Sequence, residues 1–317
     1  MQSFFSTFQK NIAHSDNLIL AVSGGVDSMV LLDLISNRHP IENIIVAHFD
    51  HSLRWIHSDR DSELVDNICK SKNILFEIEK MDIGNMAKDE NMNLEAIARR
   101  ERYKFLEKVR NKYNGKYIVT AHHAVDQTET IIGNIIKWGK IRWLSGMLMI
   151  SGYLFRPLLS TTKKGILDYA KNNNVEYRND SSNMDLSYDR NRIRHEVIPV
   201  LELLNPSIHD TFWELSEYMQ NLGAYITEQV EDWLRNTEIE SGKENTFLIK
   251  SFRKLSLFAQ SEIVSYLYAR AQGGSTQWLS SGLIDELIRF IFDPGSYGKK
   301  EIKNLHLERR GERIFIL

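Results

Sequence analysis

Ser23-Gly24-Gly25-Val26-Asp27-Ser28 places two glycines, two hydroxyls and one carboxylate in six consecutive positions. The apolar run 18–22 precedes them and an amphipathic stretch to Leu34 follows, so the six residues form a strand-to-helix turn. Gly24 and Gly25 allow positive φ and close approach of backbone N–H groups. Ser23 and Ser28 add hydroxyl donors, and the helix start adds free N–H groups and its positive dipole end. Backbone N–H groups from Gly24, Gly25 and Val26 onward thus make an anion cradle at the carboxyl end of the first strand, where open α/β sheets bind ligands. Asp27 beside a phosphate makes sense as a Mg²⁺ ligand, because a hard cation shared by carboxylate and phosphate removes their repulsion. The plainer alternative is a glycine turn with Ser and Asp as helix caps. No Gly-Lys-Ser/Thr follows and no GxGxxG is present, which excludes those two nucleotide loops.

Other chemistry-bearing residues lie downstream. His122 stands four residues before Asp126, and Glu129 lies about one helical turn beyond Asp126 on the same face. Asp126 is a second candidate for Mg²⁺, and His122 a candidate for moving a proton or touching a phosphate. Each has a structural alternative: His122 as a buried hydrogen-bonding ring, Asp126 and Glu129 as helix N-terminal charges. Arg190, Arg192 and Arg194 crowd one short segment, suited to phosphates. Arg99, Arg100, Arg102 and Lys104 share the polar face of a predicted helix over 93–113. Lys137-Trp138-Gly139-Lys140-Ile141-Arg142-Trp143 mixes cations with indoles, a composition that suits nucleic-acid phosphates. His48, Asp50, His51, His122 and His123 permit a zinc cluster, although no pair among them has HxxxH spacing.

The elements that must position these residues are legible in the first half. Strand-type runs at 18–22, 43–49, 74–78 and 117–121 alternate with helical patterns, which means βαβ units and a parallel sheet. The fold class is therefore α/β, a Rossmann-like parallel sheet followed by a smaller, mainly helical C-terminal domain that ends in a β-hairpin. Pro206 marks the boundary: a catalytic domain over 1–205 and a helical one over 206–317, with 206–235 as connector. Helices are expected at 190–204, 207–235, 254–271 and 279–292, and the hairpin turns at Arg309-Arg310-Gly311.

Composition narrows the class. The chain has 317 residues, a net charge of −2 and one cysteine, Cys69. That excludes a disulfide framework, a four-cysteine zinc site and a CxxC pair. No apolar run approaches the ~20 residues that span a bilayer, and the first 20 lack a signal-peptide core. The expectation is a cytoplasmic protein with no membrane partner. The total charge hides blocks of opposite sign: −5 over 1–100, +7 over 101–200, −7 over 201–250 and +3 over 251–317. The +7 block holds most of the arginine and Trp-rich segments named above.

Ordered motifs then carry a resemblance. Ser23–Ser28 after a strand resembles the PP-loop of the ATP pyrophosphatases. His48-Phe49-Asp50-His51-Ser52-Leu53-Arg54 follows, then Asn93-Leu94-Glu95-Ala96-Ile97-Ala98-Arg99-Arg100-Glu101-Arg102-Tyr103. Thr120-Ala121-His122-His123-Ala124-Val125-Asp126-Gln127-Thr128-Glu129-Thr130, Leu144-Ser145-Gly146-Met147 and Arg156-Pro157-Leu158 come next. Asp180-Ser181-Ser182-Asn183 and residues 190–196 complete the set, over roughly residues 17–200. Within that superfamily the set resembles the tRNA(Ile)-lysidine synthases.

The resemblance implies an ATP- and Mg²⁺-using ligase. Such an enzyme adenylates the wobble cytidine of tRNA(Ile) with a CAU anticodon, then joins free L-lysine to carbon 2 and releases AMP and pyrophosphate. It implies ATP at Ser23–Ser28, catalytic roles for Asp27, His122, Asp126 and Glu129, and the lysine ammonium on Glu129. Arg99, Lys137, Lys140, Arg190, Arg192 and Arg194 fall to the tRNA, and a homodimer is left open. The family usually has two consecutive Asp residues where this chain has Val125-Asp126, which leaves a catalytically dead binding module as the alternative. A sulfur-transferring relative needs cysteines that Cys69 alone does not supply. The longer members carry a further C-terminal domain for which this length has no room.

Overall fold

The computed structural model describes residues 2–50, 55–90, 93–137, 141–178, 189–237, 245–273, 279–293, 295 and 297–317. Contacts divide the chain into two compact units, 1–219 and 220–317. The division falls inside a long helix, where the sequence reading places it at Pro206.

In the first unit, α1 (Gln2–Asn11) precedes β1 (Leu18–Ala21), α2 (Val26–Ser36), β2 (Ile44–Asp50), α3 (Trp55–Lys72) and β3 (Leu75–Lys80). Then come α4 (Ile83–Glu90), α5 (Leu94–Lys112), β4 (Tyr117–Val119) and α6 (Ala124–Lys137). The short strands β5 (Ile150–Ser151) and β6 (Leu154–Phe155) lead to α7 (Lys163–Asn172). The sheet order is β3-β2-β1-β4-β6-β5, parallel throughout except for the β5–β6 hairpin. Strand alternation sorts side chains to two cores. Leu18 and Leu20 join Val30, Leu31 and Leu34 of α2, Phe4 and Phe8 of α1, and Ile166 of α7. Ile19, Ile45 and Ile118 join Ile97, Phe105 and Val109 of α5 on the other face. Covering both faces with helices leaves the carboxyl ends of β1 and β4 as neighbours where the strand order reverses, the usual ligand crevice of such sheets.

Two details set α6 in place. Gln127, 1% exposed, donates from Nε2 to Met147 O (3.0 Å) and Ser216 Oγ (2.7 Å), and its Oε1 accepts from Met147 N–H (2.8 Å). Gly146 makes that approach possible: at φ +57°, a Cβ there would lie 2.7 Å from Gln127 Nε2. The second detail is the helical run α8 (Asp189–Arg192), a π turn over Ile193–Val197 and α9 (Ile198–Leu204). Pro199 lacks an N–H and crowds the carbonyl four residues back, and the preceding turn is widened, with Ile198 N–H donating to Ile193 O. The helix expected despite Pro199 is present in this modified form. α10 (Ile208–Thr237) follows, its first turns contacting α6 through Thr128 Oγ1 and His209 Nδ1 (2.8 Å).

The second unit holds β7 (Asn245–Leu248), α11 (Ile249–Arg253), α12 (Leu257–Ala271), α13 (Ser281–Phe292), β8 (Tyr297–Ile302), β9 (Leu305–Arg310) and β10 (Arg313–Ile316). The expected terminal hairpin is β9–β10, turning at Gly311 (φ +57°). It belongs to a four-stranded antiparallel sheet, β7-β10-β9-β8, larger than the hairpin expected from the sequence. β8 reads Tyr-Gly-Lys-Lys-Glu-Ile and buries no residue fully, so it carries no apolar alternation to reveal it. Phe247, Phe252, Leu267, Leu287, Leu307 and Ile314 form the core of this unit.

Replacing Gln127 with Leu keeps volume but removes three hydrogen bonds around α6. Urea denaturation of Gln127→Leu is expected to show a loss of about 3 kcal/mol. A loss below about 0.5 kcal/mol would mean that the amide does not hold α6 to the 145–147 loop.

Candidate active site

The phosphate loop is built as its residues require. Gly24 adopts φ +89°, and Gly25 sits at the N-cap of α2 with no side-chain cap. The glycine-turn-with-caps alternative therefore lacks its caps. The Ser28 hydroxyl accepts from Ser23 N–H (3.1 Å) and donates to Gly25 O (2.9 Å), which folds the loop onto itself. Arg178 N–H donates to Gly24 O (3.0 Å) from across the loop. The first helical hydrogen bond is Met29 N–H to Gly25 O, so the N–H groups of residues 26–28 precede it at the positive end of α2. His48, buried at the end of β2, bonds through Nδ1 to Val22 O (2.8 Å) and pins the strand end that launches the loop. Burial lowers its pKa, so His48 is a neutral structural ring here.

Asp27 points from the first turn of α2. Its Oδ1 pairs with Lys163 Nζ at 2.5 Å and lies 3.7 Å from His123 Nε2. The same His123 nitrogen lies 3.6 Å from Asp126 Oδ2, so one imidazole stands between the two aspartates. Burial lowers the His123 pKa, against the pull of Asp126 and Asp27. Sequence reasoning placed Asp27 and Asp126 together, named His123 only as a possible zinc ligand, and missed Lys163 as a member of the site. Lys163 opens α7, seven residues after Arg156 of the Arg-Pro-Leu motif, and nothing local marks it.

Asp126 and Glu129 lie on one face of α6 and are both buried, Glu129 to 3% exposure. Asp126 Oδ2 reaches back to His123 N–H (2.9 Å), an N-terminal capping contact. Its Oδ1 takes Arg190 Nη2 at 2.6 Å and Arg194 Nη2 at 3.1 Å. Glu129 takes Arg190 Nε on Oε2 at 2.6 Å and Arg194 Nε on Oε1. Two guanidiniums, four residues apart on one helical face, thus straddle two carboxylates three residues apart on another. Burial alone would raise Asp126, but His123, Arg190 and His122, with the His123 N–H, bring it down to about 2.

The expected phosphate-binding arginines divide. Arg190 and Arg194 engage carboxylates in this structure, whereas Arg192, on the opposite side of the turn, is exposed and pairs with Glu196 (3.2 Å). Lys137 is exposed and pairs with Asp189 (3.3 Å). Arg99 is exposed on α5, its guanidinium 5.0 Å from the Tyr103 ring centroid. Lys140, with Trp138 and Gly139, lies outside the described residues, as do His51–Arg54 of the second motif and residues 179–188. Val125, the departure from the family pattern, packs with Ile132, Ile193 and Ile198 and turns away from the carboxylates.

His122 bonds through Nδ1 to Thr120 Oγ1 (2.8 Å). Burial takes its pKa down to about 3, against Asp126, with Arg156, Arg190 and Arg102 adding to the fall. At neutral pH it is a neutral hydrogen-bonding ring. Among the described residues no three His, Cys, Asp or Glu side chains group to hold a metal ion. A hard cation needs carboxylate oxygen: Asp27 offers Oδ2 beside the phosphate loop, while both oxygens of Asp126 are already engaged. Asp27 therefore fits Mg²⁺ better than Asp126 does. Cys69 packs in the first core, and burial pushes its thiol up to about 12, far from a reactive thiolate.

Comparison with known proteins identifies the family. Residues 1–201 match the family model described as the PP-loop domain, and the chain belongs to that family. Among named relatives, it is 33% identical over 285 residues to a tRNA(Ile)-lysidine synthase of Bacillus cereus, covering 86% of this chain and 59% of the relative. It is also 33% identical to the bifunctional protein TilS/HprT of Listeria monocytogenes, covering 88% of this chain and 44% of the relative. The chain thus spans about three fifths, or less, of the length of these curated relatives. Among solved structures, a U34-tRNA thiolase, NcsA, of Methanococcus maripaludis with its [4Fe-4S] cluster superposes with a TM-score of 0.56 at 18% identity. That match covers 70% of this chain and 77% of the thiolase, and shows a shared fold.

His122 generates a pH prediction. An unfolded chain holds histidine near its ordinary value of about 6.5, whereas the folded protein holds it near 3. Acid therefore protonates the unfolded chain first, and stability falls as pH drops from about 6.5 toward 3. Denaturant midpoints of wild type should decline over that window, and His122→Gln should decline less. Parallel curves would show that His122 is not held neutral by the fold.

Proposed function

We propose that this chain joins L-lysine to carbon 2 of the wobble cytidine of tRNA(Ile) with a CAU anticodon, through an adenylated cytidine, with release of AMP and pyrophosphate. The observation that carries the reading is the convergence of the Ser23–Ser28 loop with the Asp126–Glu129 pair across His123. One place could then hold a polyphosphate and a cation. The relatives named tRNA(Ile)-lysidine synthase supply the substrates that fit those two halves. A cytosolic location, and tRNA and free lysine as partners, follow from the same reading.

The chemistry divides accordingly. The cytidine 2-oxygen attacks the α-phosphorus of ATP, and the bond to pyrophosphate breaks while loop N–H groups and the α2 dipole hold the departing charge. Mg²⁺ on Asp27 would neutralise phosphate oxygens. The lysine ε-amine, once deprotonated, then attacks carbon 2 and the C–O bond to AMP breaks. Glu129 is the acceptor for the ammonium, and a lysine arriving there takes over a carboxylate that Arg190 and Arg194 hold in the resting protein. His122, neutral, contributes hydrogen bonds in preference to proton donation.

The dead-module alternative rests on Val125 alone. Val125 packs into an apolar cluster and leaves Asp126 and Glu129 intact, which favours the active reading.

Two variants test the assignment. Asp27→Ala should lower ATP-dependent pyrophosphate release by about a hundredfold or more, through loss of the metal bridge; near-normal release would sink the phosphate-loop role. Glu129→Gln should raise the lysine KM by about tenfold and the ATP KM by less than about twofold. An equal rise in both would remove Glu129 as the amine's partner. Radiolabelled lysine, isoleucine tRNA and ATP provide the direct assay. No incorporation with intact ATP binding would establish the dead module.

A further inference from the structure

A second group of cations lies next to the carboxylate site and is not used by it. Arg99 and Arg102 of α5 both stack toward the Tyr103 ring, their guanidinium carbons 5.0 and 5.6 Å from its centroid. Arg156, at the end of β6, comes to the same phenol. It is 7% exposed and fixed by two bonds, Nη1 to Leu148 O (2.8 Å) and its backbone N–H to Met149 O (2.8 Å). Its Nε–H is buried with no acceptor, and the buried Tyr103 hydroxyl has the Arg102 and Arg156 guanidiniums beside it but no acceptor for its own proton. Among the described residues no carboxylate forms an ion pair with Arg99, Arg102 or Arg156. Asp126 and Glu129 are taken by Arg190 and Arg194.

This is an expensive arrangement for a merely structural cluster. A desolvated cation without a counter-charge costs several kcal/mol, and a buried donor without an acceptor about 1–3 kcal/mol. Burial holds both Arg102 and Arg156 below the ordinary arginine range. Arg156 and Arg102 also bear on His122 with the same sign, so the cluster extends to the edge of the Asp126 site. Two preorganised donors among three guanidiniums that pair with no carboxylate among the described residues match the tetrahedral oxygens of a phosphate, which a fixed guanidinium can take in a bidentate grip.

We propose that Arg99, Arg102, Tyr103 and Arg156 form a second phosphate site, separate from the Ser23–Ser28 loop, with Arg156 Nε and the Tyr103 hydroxyl as its fixed donors. Its phosphate comes either from the nucleotide or from the RNA backbone beside the modified base. The site rests on the reading of the chain as an ATP- and tRNA-using protein only for the choice between these two sources.

The test uses the full chain and direct binding, so it does not depend on lysine transfer. Tyr103→Phe and Arg99→Gln change one donor and one exposed charge, and Arg156→Gln removes the buried cation. Thermal melts establish which variants fold, and the first two carry the test if Arg156→Gln does not. Affinities for ATP, and for an isoleucine anticodon stem-loop at several salt concentrations, are measured for each. The site predicts a loss of about tenfold for Arg156→Gln and about three- to tenfold for Tyr103→Phe on one of the two ligands. If the loss falls on ATP with stem-loop binding unchanged, the nucleotide supplies the phosphate. If it falls on the stem-loop, and the Arg99→Gln salt slope drops by about 0.7, the RNA supplies it. Folded Tyr103→Phe and Arg99→Gln proteins that bind both ligands as wild type does overturn the proposal. If wild type binds both ligands but transfers no lysine, the lysidine reading fails while the phosphate site stands.

Discussion

Two carboxylates cannot be buried one helical turn apart on α6 without cations supplied from elsewhere, and this need organises the centre of the first unit. Asp126 is 7% and Glu129 3% exposed, at which depth two unpaired charges would cost several kcal/mol each. Arg190 and Arg194 answer that cost together, each touching both acids. To do so, α8 and the π turn must run along α6, and the apolar residues between and beyond the arginines follow. Ile193 and Ile198 then close on Ile132, and Val125 fills the same small cluster. Val125 is thus compatible with the pairing, because its side chain packs on the apolar side.

Burial keeps both histidines neutral. Arg156, Arg190 and Arg102 add to the fall at His122, and His123 stays neutral between Asp27 and Asp126 against their pull. Lys163 balances Asp27 directly. The resting site is therefore internally compensated at its acids, while Arg99, Arg102 and Arg156 pair with no carboxylate among the described residues. That arrangement runs the same way as the charge map of the sequence, in which residues 101–200 carry +7.

Much of the scaffold is legible in the sequence, because buried parallel strands are short apolar runs and the turn at Gly24 needs glycine. The four strands read at 18–22, 43–49, 74–78 and 117–121 correspond to β1–β4. β5 and β6 are two residues each, too short to leave a pattern, and β8 has no buried face. In the site, the six-residue loop and the Asp126–Glu129 spacing are local features and read directly. The partners are not local. Arg190 lies 64 residues from Asp126 and Lys163 lies 136 from Asp27, and composition cannot say which acid a given cation meets. Arg192 shows the limit most plainly: it shares a motif with Arg190 and Arg194, but a helix points it the other way. Gly146 is the reverse case, a motif residue whose reason appears only when Gln127 is seen against it.

On the function proposed above, Lys163 on Asp27, and Arg190 and Arg194 on Glu129, make ligand capture at these acids an exchange of one cation for another. The electrostatic gain on binding is then a difference between two similar ion pairs, so total charge gives little affinity. What remains to discriminate ligands is shape: a newcomer must deliver its positive charge at the depth and angle that a tethered side chain already satisfies. A neutral analogue of the same outline would displace both guanidiniums and leave Glu129 buried without compensation. The internal cations thereby act as standing competitors, and set a threshold of fit below which the site stays closed on itself.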